Sequence, residues 1–139
     1  MVQHMNKLTV IKPQWLLTVN EQFDLLTDSA LIIENDRIKA IIAVAELSNH
    51  PGLEQAETVT LDNHILMPGL INTHTHAAMS LLRGIADDLP LMDWLNNHIW
   101  PSESKWVNRQ FIEDGVRLTV AEMIRGGTTC AADMYYFEA

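Results

Sequence analysis

The most constraining feature of this chain is an apolar run at residues 65–72, which leads directly into His74-Thr75-His76. The run lacks the polar alternation of a strand with one face in water, so it predicts a strand buried on both faces, as in parallel sheets covered by helices. Side chains two residues apart share a face of a strand. We therefore expect His74 and His76 to project together from the carboxyl end of this strand, where parallel α/β folds bind their ligands.

The residues after this run predict a helical crossover and a second strand. We expect a short helix over residues 91–99, ending before Pro101, and a long helix over residues 104–125, ended by Gly126-Gly127. Residues 128–134 return to strand character. A strand, a crossover helix and a second strand imply parallel pairing with a right-handed connection.

The first 64 residues predict a separate region rich in short strands. Lys12-Pro13 is expected to separate two of these strands, because proline is confined to edges and turns of sheets. Asn35-Asp36 predicts the tight turn of a hairpin, and Asp62-Asn63 predicts another turn. The predicted domains are therefore residues 1–64, all β, and residues 65–139, α/β.

The amino-acid composition argues against some classes of binding partner. The 139 residues suit one domain, and 18 acidic against 9 basic side chains give a net charge of −9. This balance argues against nucleic acid and anionic membrane surfaces as partners. The chain contains no window of about 18 uncharged apolar residues, so no membrane span is predicted. The lone cysteine, Cys130, is expected in a buried strand and fits a reducing compartment, so we expect a cytoplasmic protein.

The histidine pair has the spacing of metal ligands. Cα atoms two strand rises apart are separated by about 7 Å, and two neutral imidazoles at that spacing can converge on one ion. Zinc accepts such nitrogens at roughly 2.0–2.1 Å, and its catalytic sites have three protein ligands plus water. The alternative is that His74 and His76 are unrelated polar residues where a strand leaves the core. The preceding apolar run and the β-rich preface favour the metal ligands.

Residues 67–76, MPGLINTHTH, resemble the first barrel strand of the amidohydrolase superfamily. The likeness continues through residues 77–95 and through Trp100-Pro101-Ser102-Glu103, where it resembles the branch that deaminates 5′-methylthioadenosine and S-adenosylhomocysteine. The resemblance implies an α/β fold: the N-terminal part of a metal-dependent (β/α)₈ TIM-barrel hydrolase, preceded by part of a small β-sandwich. Residues 1–64 would form the incomplete sandwich and residues 65–139 the incomplete barrel.

The resemblance also implies roles for individual residues. It gives His74 and His76 as metal ligands and Glu103 as the carboxylate that binds the ribose hydroxyls, a role suited to an ionised carboxylate facing a vicinal diol. The alternative for Glu103 is a residue that complements the dipole at the start of the long helix, with Ser102 or Ser104 as the helix cap.

Other polar and aromatic residues near the motif have less specific expectations. Trp94 and Trp100 either line an apolar pocket or belong to the core. Asp133 lies at a strand end and is expected to make a structural hydrogen bond. Arg83 is expected to pair with Asp87 or Asp88, and the alternative is that it approaches the site.

The implied reaction is hydrolytic deamination of a purine nucleoside to its inosine analogue and ammonia. A divalent metal, zinc with iron or another metal as alternatives, lowers the pKa of bound water toward ~7. In the family, the further ligands and the acid/base come from later barrel strands, so no catalytic acid or base is expected before Ala139. A barrel takes ~250 residues. We therefore expect this chain to be the first portion of a longer enzyme, inactive alone and with open strand edges; homo-oligomerisation of that enzyme stays open.

Two alternatives remain at this point. The first is another amidohydrolase, such as a triazine or guanine hydrolase, for which a ribose-binding Glu103 would have little purpose. The second is a small self-contained metal-binding module. That module would need third and fourth ligands within these residues, and the candidates His98, Asp87 and Asp133 have no recognisable ligand spacing.

Overall fold

The computed structural model describes residues 7–136 of the chain. The chain divides after Pro68 into two compact units, each with its own sheet. This division falls a few residues after the predicted domain boundary at residue 64, and the assignment of the two parts to a sandwich and a barrel stays a prediction. Within residues 7–136, no helix is long and apolar enough to cross a membrane.

The first unit is built on a five-stranded sheet. Its strands are β1 (Leu8–Leu17), β2 (Leu25–Leu26), β3 (Ser29–Glu34), β4 (Arg37–Ala43) and β5 (Glu57–Leu66). Strand β1 is central: β2 and β3 pair with it antiparallel, β5 pairs with it in parallel, and β4 adds to β3. The runs of isoleucine, valine and leucine in these segments suit a pleated, half-buried surface. Val10, Leu16, Ala30, Leu31 and Ile32 form its buried core.

Pro13 does not separate two strands as expected, because β1 runs through it. Strand β3 pairs with β1 only as far as Ile11, and β2 pairs with it only from Leu16. Pro13 therefore lies where the antiparallel neighbour of β1 changes. Neither β2 nor β3 is paired with residue 13, so the missing N–H of Pro13 removes no hydrogen bond from the antiparallel ladders.

One of the two predicted turns in this unit is confirmed. Asn35, with φ of 57°, closes the hairpin between β3 and β4. The turn expected at Asp62-Asn63 is wrong, since β5 continues through both residues. Asn63 instead adopts φ of 57° inside the strand, and its N–H donates to Oε1 of Gln14 at 2.8 Å. The register between β1 and β5 shifts after Pro13, so Asn63 lies in a β-bulge. The side chain of Gln14 accepts the hydrogen bond of the main-chain N–H there.

The second unit contains a strand, a helical crossover and a parallel strand, which confirms the predicted parallel pairing. Strand β6 (Leu70–Thr75) is followed by a 3₁₀ segment (Ala77–Leu82), α1 (Leu91–Trp94), a π turn (Leu95–Ile99), α2 (Trp100–Trp106), α3 (Arg109–Gly126) and β7 (Thr128–Asp133). The carboxyl ends of β6 and β7 therefore lie side by side, with Thr75 opposite Asp133.

The apolar run at residues 65–72 is not one strand. Pro68-Gly69 separates β5 from β6, because proline cannot donate to a ladder. A Cβ on Gly69 would lie 2.1 Å from the side-chain oxygen of Thr129, so only glycine lets the chain pass β7 at this point. Burial on both faces is also wrong for the described residues. Ile71 is 69% exposed, so its face of β6 is not covered within residues 7–136.

Cys130 of β7 is exposed, contrary to the prediction of a buried strand. Most side chains of β7 are exposed to solvent. Within residues 7–136, β7 has a partner on one edge alone, which is β6. The open strand edges that the sequence led us to expect are therefore present in this unit.

The helical crossover differs from the prediction at two points. Pro101 does not end the first helix, because the π turn before it shifts the hydrogen-bonding pattern and places proline in the first turn of α2, where its missing N–H is not needed. The expected long helix is broken at Val107-Asn108. The side chain of Asn108 accepts from the N–H of Phe111 at 3.0 Å and caps α3, a role that the sequence analysis missed.

Helix α3 holds the 3₁₀ segment that follows β6. A Cβ on Gly115 would lie 2.6 Å from the carbonyl oxygen of Ala78, so glycine is required for this close approach. The hydroxyl of Ser80 donates to the carbonyl of Gly115 at 3.1 Å, and Thr119 donates to the carbonyl of Ala77. Helix α3 ends at Gly127, whose φ of 80° confirms the predicted glycine stop.

Candidate functional site

A cleft of about 700 Å³ opens in the second unit at the carboxyl ends of its two strands. All five aromatic, histidine and acidic residues that the sequence connected with substrate or metal line this cleft: His74, His76, Trp94, Trp100 and Glu103. These residues come from β6, the residue after it, α1 and α2. The crossover therefore brings together side chains that are far apart in the sequence.

The two histidines face each other at one end of the cleft. Their Nε2 atoms are 3.3 Å apart, and the rings meet edge to face with centroids 5.1 Å apart. Both residues are exposed. The main-chain N–H of His74 donates to Oδ1 of Asn72 at 3.2 Å, which steadies the end of β6.

The tautomer of His76 follows from its neighbour. Its Nδ1 bonds to the main-chain carbonyl of Met134, which follows β7. A carbonyl oxygen can only accept, so Nδ1 must carry the proton. In the neutral ring Nε2 is then the unprotonated nitrogen, and its lone pair points toward His74. This arrangement, with one ring nitrogen bonded to a carbonyl and the other available, is the usual one for a metal-binding histidine.

The separation of the two Nε2 atoms fits a metal ion. Two nitrogens bound to zinc at 2.0–2.1 Å with a tetrahedral angle lie about 3.3 Å apart, which is the distance between His74 and His76. Within residues 7–136, no three His, Cys, Asp or Glu side chains are grouped closely enough to hold a metal. The pair can therefore supply two ligands, and a catalytic site needs more.

Glu103 is a buried acid at another part of the same cleft. It lies in the first turn of α2 and is 8% exposed. Its Oε1 accepts a hydrogen bond from the hydroxyl of Tyr135 at 2.7 Å, and its Oε2 accepts from Tyr136 at 3.4 Å. The two tyrosine rings meet edge to face, 4.9 Å between centroids. A buried carboxylate is thus held by one hydroxyl on each oxygen.

The carboxylate changes the acidity of both phenols. Burial is the main cause that holds the pKa of Tyr135 well above its ordinary value, and the hydrogen bond to Glu103 adds to it. The pKa of Tyr136 is also raised, chiefly by the negative charge of Glu103. Both shifts have the direction expected when an anion neighbours a phenol. The hydroxyls therefore stay protonated and remain donors.

The alternative role of Glu103, as an acid that complements the dipole at the start of a helix, agrees with the structure only in part. Glu103 does lie in the first turn of its helix, where an acid complements the dipole. Ser102 does not cap this helix, because its hydroxyl donates back to the main-chain carbonyl of His98 at 2.6 Å. The long helix expected from the sequence begins instead at Arg109 with its own cap.

Residues 133–136, which we call the β7 exit segment, support both parts of the cleft. Oδ1 of Asp133 accepts from the N–H of Ala77 at 2.9 Å, which confirms the structural hydrogen bond expected of this residue. Met134 contributes its carbonyl to His76, and Tyr135 contributes its hydroxyl to Glu103. Apart from Asp133, this segment contains no residue that the sequence connects with function. The signal that could have revealed it is its position directly after the strand parallel to the histidine strand.

Two further expectations have different outcomes. Arg83 does not pair with either member of Asp87-Asp88; its guanidinium binds both carboxylate oxygens of Glu122 in α3, at 3.0 and 2.7 Å. The planar guanidinium forms two parallel hydrogen bonds with this carboxylate, which is the bidentate geometry that arginine favours. The indole of Trp94 donates to the carbonyl of Ile85 at 3.0 Å, so this ring both lines the cleft and steadies the loop before α1.

The chain is similar to known proteins over most of its length. The model of the Amidohydrolase family matches residues 65–139. The 5-methylthioadenosine/S-adenosylhomocysteine deaminase of Saccharophagus degradans is 46% identical over 128 residues, 92% of this chain and 28% of that protein. The 5′-deoxyadenosine deaminase of Methanocaldococcus jannaschii is 50% identical over 107 residues, 77% of this chain and 24% of that protein. The chain thus spans about a quarter of the length of these relatives.

Solved structures agree with the sequence relatives. An adenosine deaminase from Xanthomonas campestris with bound zinc superposes with a TM-score of 0.86 and 42% identity, covering 93% of this chain and 29% of that one. A triazine hydrolase superposes with a TM-score of 0.77 but is 22% identical, covering 93% of this chain and 29% of that one. The second likeness concerns the fold alone.

Proposed function

The chain belongs to the amidohydrolase family, and we propose that the whole protein deaminates adenosine nucleosides modified at the 5′ position, such as 5′-methylthioadenosine and S-adenosylhomocysteine. One observation carries the proposal: an exposed histidine pair with metal-ligand spacing and a buried carboxylate, Glu103, line the same cleft. The names of the relatives, 5-methylthioadenosine/S-adenosylhomocysteine deaminase and 5′-deoxyadenosine deaminase, support the same substrate class.

The proposed architecture follows from the two units and from the length of the relatives. The second unit would be the first strand, crossover helix and second strand of a (β/α)₈ barrel, and the first unit would be part of a small β-sandwich. The unpaired outer edges of β6 and β7 within residues 7–136 support this, because a barrel strand has neighbours on both edges. The further metal ligands and the catalytic acid/base would come from other barrel strands of the whole protein.

His74 and His76 would hold the metal through their Nε2 atoms. Zinc suits this pair best, because the separation of the nitrogens agrees with tetrahedral zinc geometry; iron is the alternative. A bound divalent metal supplies a water whose pKa is lowered toward ~7. The contribution of this chain is to fix the ligands: the carbonyl of Met134 sets the tautomer of His76, and Asp133 holds the backbone that follows it.

Glu103 would bind the ribose of the nucleoside. An ionised carboxylate has about four lone-pair sites, and the two tyrosine hydroxyls use one on each oxygen. One site on each oxygen remains, and a 2′,3′-diol offers two donors. Trp94 and Trp100 supply apolar surface to the same cleft, where the flat purine and the 5′ substituent could pack.

The net reaction replaces the amino group of adenine with the oxygen of water and releases ammonia. The test is ammonia release by the purified whole protein from 5′-methylthioadenosine, S-adenosylhomocysteine, 5′-deoxyadenosine and adenosine, with guanine and a triazine as controls. We expect turnover of the adenosine nucleosides, loss of turnover on chelation and recovery with zinc. Turnover of guanine or the triazine with no activity on any adenosine nucleoside would contradict the proposal.

A second measurement tests the proposed architecture. The 139-residue chain expressed alone should release no ammonia from these nucleosides even with added zinc, because within residues 7–136 only two ligands are brought together at the histidine pair. Measurable turnover by this chain, with a metal requirement, would show that a complete site exists within it and would contradict the proposal that other barrel strands are needed.

A further inference from the structure

We propose that Tyr135, assisted by Tyr136, positions the Glu103 carboxylate and thereby makes the site selective for nucleosides that carry an intact ribose 2′,3′-diol. This inference rests on the proposed function and extends it from substrate class to the residue that sets sugar selectivity. Tyr135 is a positioning residue in this proposal, because it acts through Glu103. No hydrogen bond from the tyrosine to substrate is required.

The hydrogen bonds of the Glu103 carboxylate leave room for a diol. Tyr135 donates to Oε1 at 2.7 Å, a length typical of a strong bond to an anion, whereas Tyr136 donates to Oε2 at 3.4 Å. Each phenol has one proton to donate, so each oxygen keeps one acceptor site. Two donors therefore fix the plane of the carboxylate while leaving it able to accept both hydroxyls of a diol.

The burial of Glu103 makes its hydrogen bonds important. Glu103 is 8% exposed, and it is the one charged residue among the buried residues of the described chain. An ionised group removed from water needs hydrogen bonds to compensate for its lost solvation. The tyrosine hydroxyls provide part of this compensation, and a diol would complete it. A deoxyribose would leave one acceptor of a buried carboxylate without a partner, which is the arrangement that discriminates most strongly against an analogue lacking a hydroxyl.

Tyr135 also connects the two parts of the cleft. Tyr135 follows Met134, whose carbonyl bonds to His76, and the rings of Tyr135 and His76 are 6.3 Å apart between centroids. The β7 exit segment therefore fixes the carboxylate and the histidine pair through adjacent residues. A nucleoside must reach from one to the other, so the position of Tyr135 determines whether the ribose can be bound while the base lies near the histidines.

The test is the kinetics of Tyr135→Phe in the metal-loaded whole protein, with an adenosine nucleoside and its 2′-deoxy and 3′-deoxy analogues. Phenylalanine keeps the ring and removes the donor. We expect KM for the ribose substrate to rise about tenfold, the loss of one hydrogen bond to a charged group, with kcat within about twofold. KM for the deoxy analogues should rise less, so the preference for ribose falls. Equal changes for ribose and deoxyribose substrates would overturn the proposal.

A double-mutant cycle with Glu103→Gln separates positioning from a general structural effect. If Tyr135 acts through Glu103, Tyr135→Phe should change KM for the ribose substrate little in the Glu103→Gln background. Additive effects of the two substitutions would contradict the proposal. Tyr136→Phe serves as the matched variant, with a smaller expected rise in KM because its hydrogen bond is longer. If Tyr135→Phe does not fold, Tyr136→Phe alone tests the proposal. An equal change in KM for ribose and deoxyribose substrates would then overturn the inference.

Failure of this inference and failure of the proposed function have different signatures. If the whole protein deaminates no adenosine nucleoside, the proposed function is wrong. The coupling between Tyr135 and Glu103 can then still be measured as the interaction term of the same cycle in thermal unfolding, which needs no substrate. If deamination is present but all variants keep the ribose preference of the parent protein, the proposed function stands and this inference is wrong.

Discussion

The histidine pair is exposed, and the ring of His76 is oriented by a main-chain carbonyl, whereas Glu103 is buried and its carboxylate is held by two side-chain hydroxyls. His76 is oriented by the carbonyl of Met134, and the segment after it is held by Asp133. Glu103 is held by Tyr135 and Tyr136. Both parts of the cleft therefore depend on the β7 exit segment, but they depend on different kinds of atoms.

This difference matches the chemistry proposed for each part. A metal ligand needs an unprotonated nitrogen in a fixed direction, and a main-chain carbonyl provides this because it can only accept. A carboxylate that distinguishes hydroxyls gains from burial, since its hydrogen bonds are stronger in a low local dielectric. Substitution of the side chains around Glu103 should therefore change how the carboxylate is held. The geometry of the histidine pair should change only when a ligand itself, or a residue that fixes the position of the backbone, is substituted.

The largest expected effect is loss of the metal. In the whole protein, His74→Ala or His76→Ala should reduce the metal content to background and abolish deamination, because each removes one of the two facing nitrogens. His98→Ala is the matched control, since His98 does not line the cleft. Metal analysis of the purified variants provides the measurement. An unchanged zinc stoichiometry in either variant would refute the assignment of the pair as ligands.

The next effect separates the carboxylate from the histidines. Glu103→Gln should leave the metal content unchanged and raise KM for a ribose nucleoside roughly 10- to 100-fold, because hydrogen bonds to a charged group contribute about 1.5–3 kcal/mol. Glu122→Gln, which alters an exposed acid paired with Arg83, serves as the control. Steady-state kinetics with ribose and 2′,3′-dideoxyribose nucleosides measures the effect. The same rise in KM for both sugars would show that Glu103 does not bind the diol.

A third substitution tests the backbone support of the histidine end. Gly115→Ala should lower the free energy of unfolding by about 1–3 kcal/mol, because the new Cβ overlaps backbone atoms of Ala78 and forces the two segments apart. Gly126→Ala in the same helix is the control: nothing lies within 4 Å of its Cβ, and it should be neutral or stabilise by up to ~1 kcal/mol. Denaturant unfolding compares them. Equal stability of the two variants would contradict the close approach of α3.

The same contrast explains which parts of the structure the sequence could predict. The His-x-His spacing is local to one strand, so its geometry follows from the two-residue period of a strand. The hairpin at Asn35 and the glycine stop of α3 at Gly127 are also local signals, and both are confirmed. The parallel pairing of β6 with β7 could be inferred because a long crossover permits little else.

The features that could not be predicted depend on contacts between distant residues. The tyrosines that hold Glu103 lie more than thirty positions away, and no periodicity connects them. Pro101 inside a helical stretch could not be anticipated either, because the π turn that accommodates it has no sequence signature of its own. The salt bridge between Arg83 and Glu122 requires knowledge of how α3 packs on the segment after β6.

The smallest expected effect concerns pH. The pKa of Tyr135 is raised in the folded chain, mainly by burial and also by Glu103. Its ordinary value is about 10. A group whose pKa is raised on folding contributes stability that is complete below the unfolded pKa and is lost as the pH rises above it toward the folded value. The free energy of unfolding of the 139-residue chain should therefore decline above about pH 10.

Two variants determine whether this decline originates at the buried end of the cleft. Tyr135→Phe removes the titrating group, and Glu103→Gln removes the charge that adds to its pKa shift, so both should make the decline above about pH 10 shallower. Tyr136→Phe should have a smaller effect, because Tyr136 is the more exposed phenol and its hydrogen bond to Glu103 is the longer one. Urea unfolding across this pH range measures the slope. If the slope in all three variants equals that of the parent chain, Glu103, Tyr135 and Tyr136 do not control alkaline stability. The contrast between the buried carboxylate and the exposed histidine pair would then rest on geometry alone.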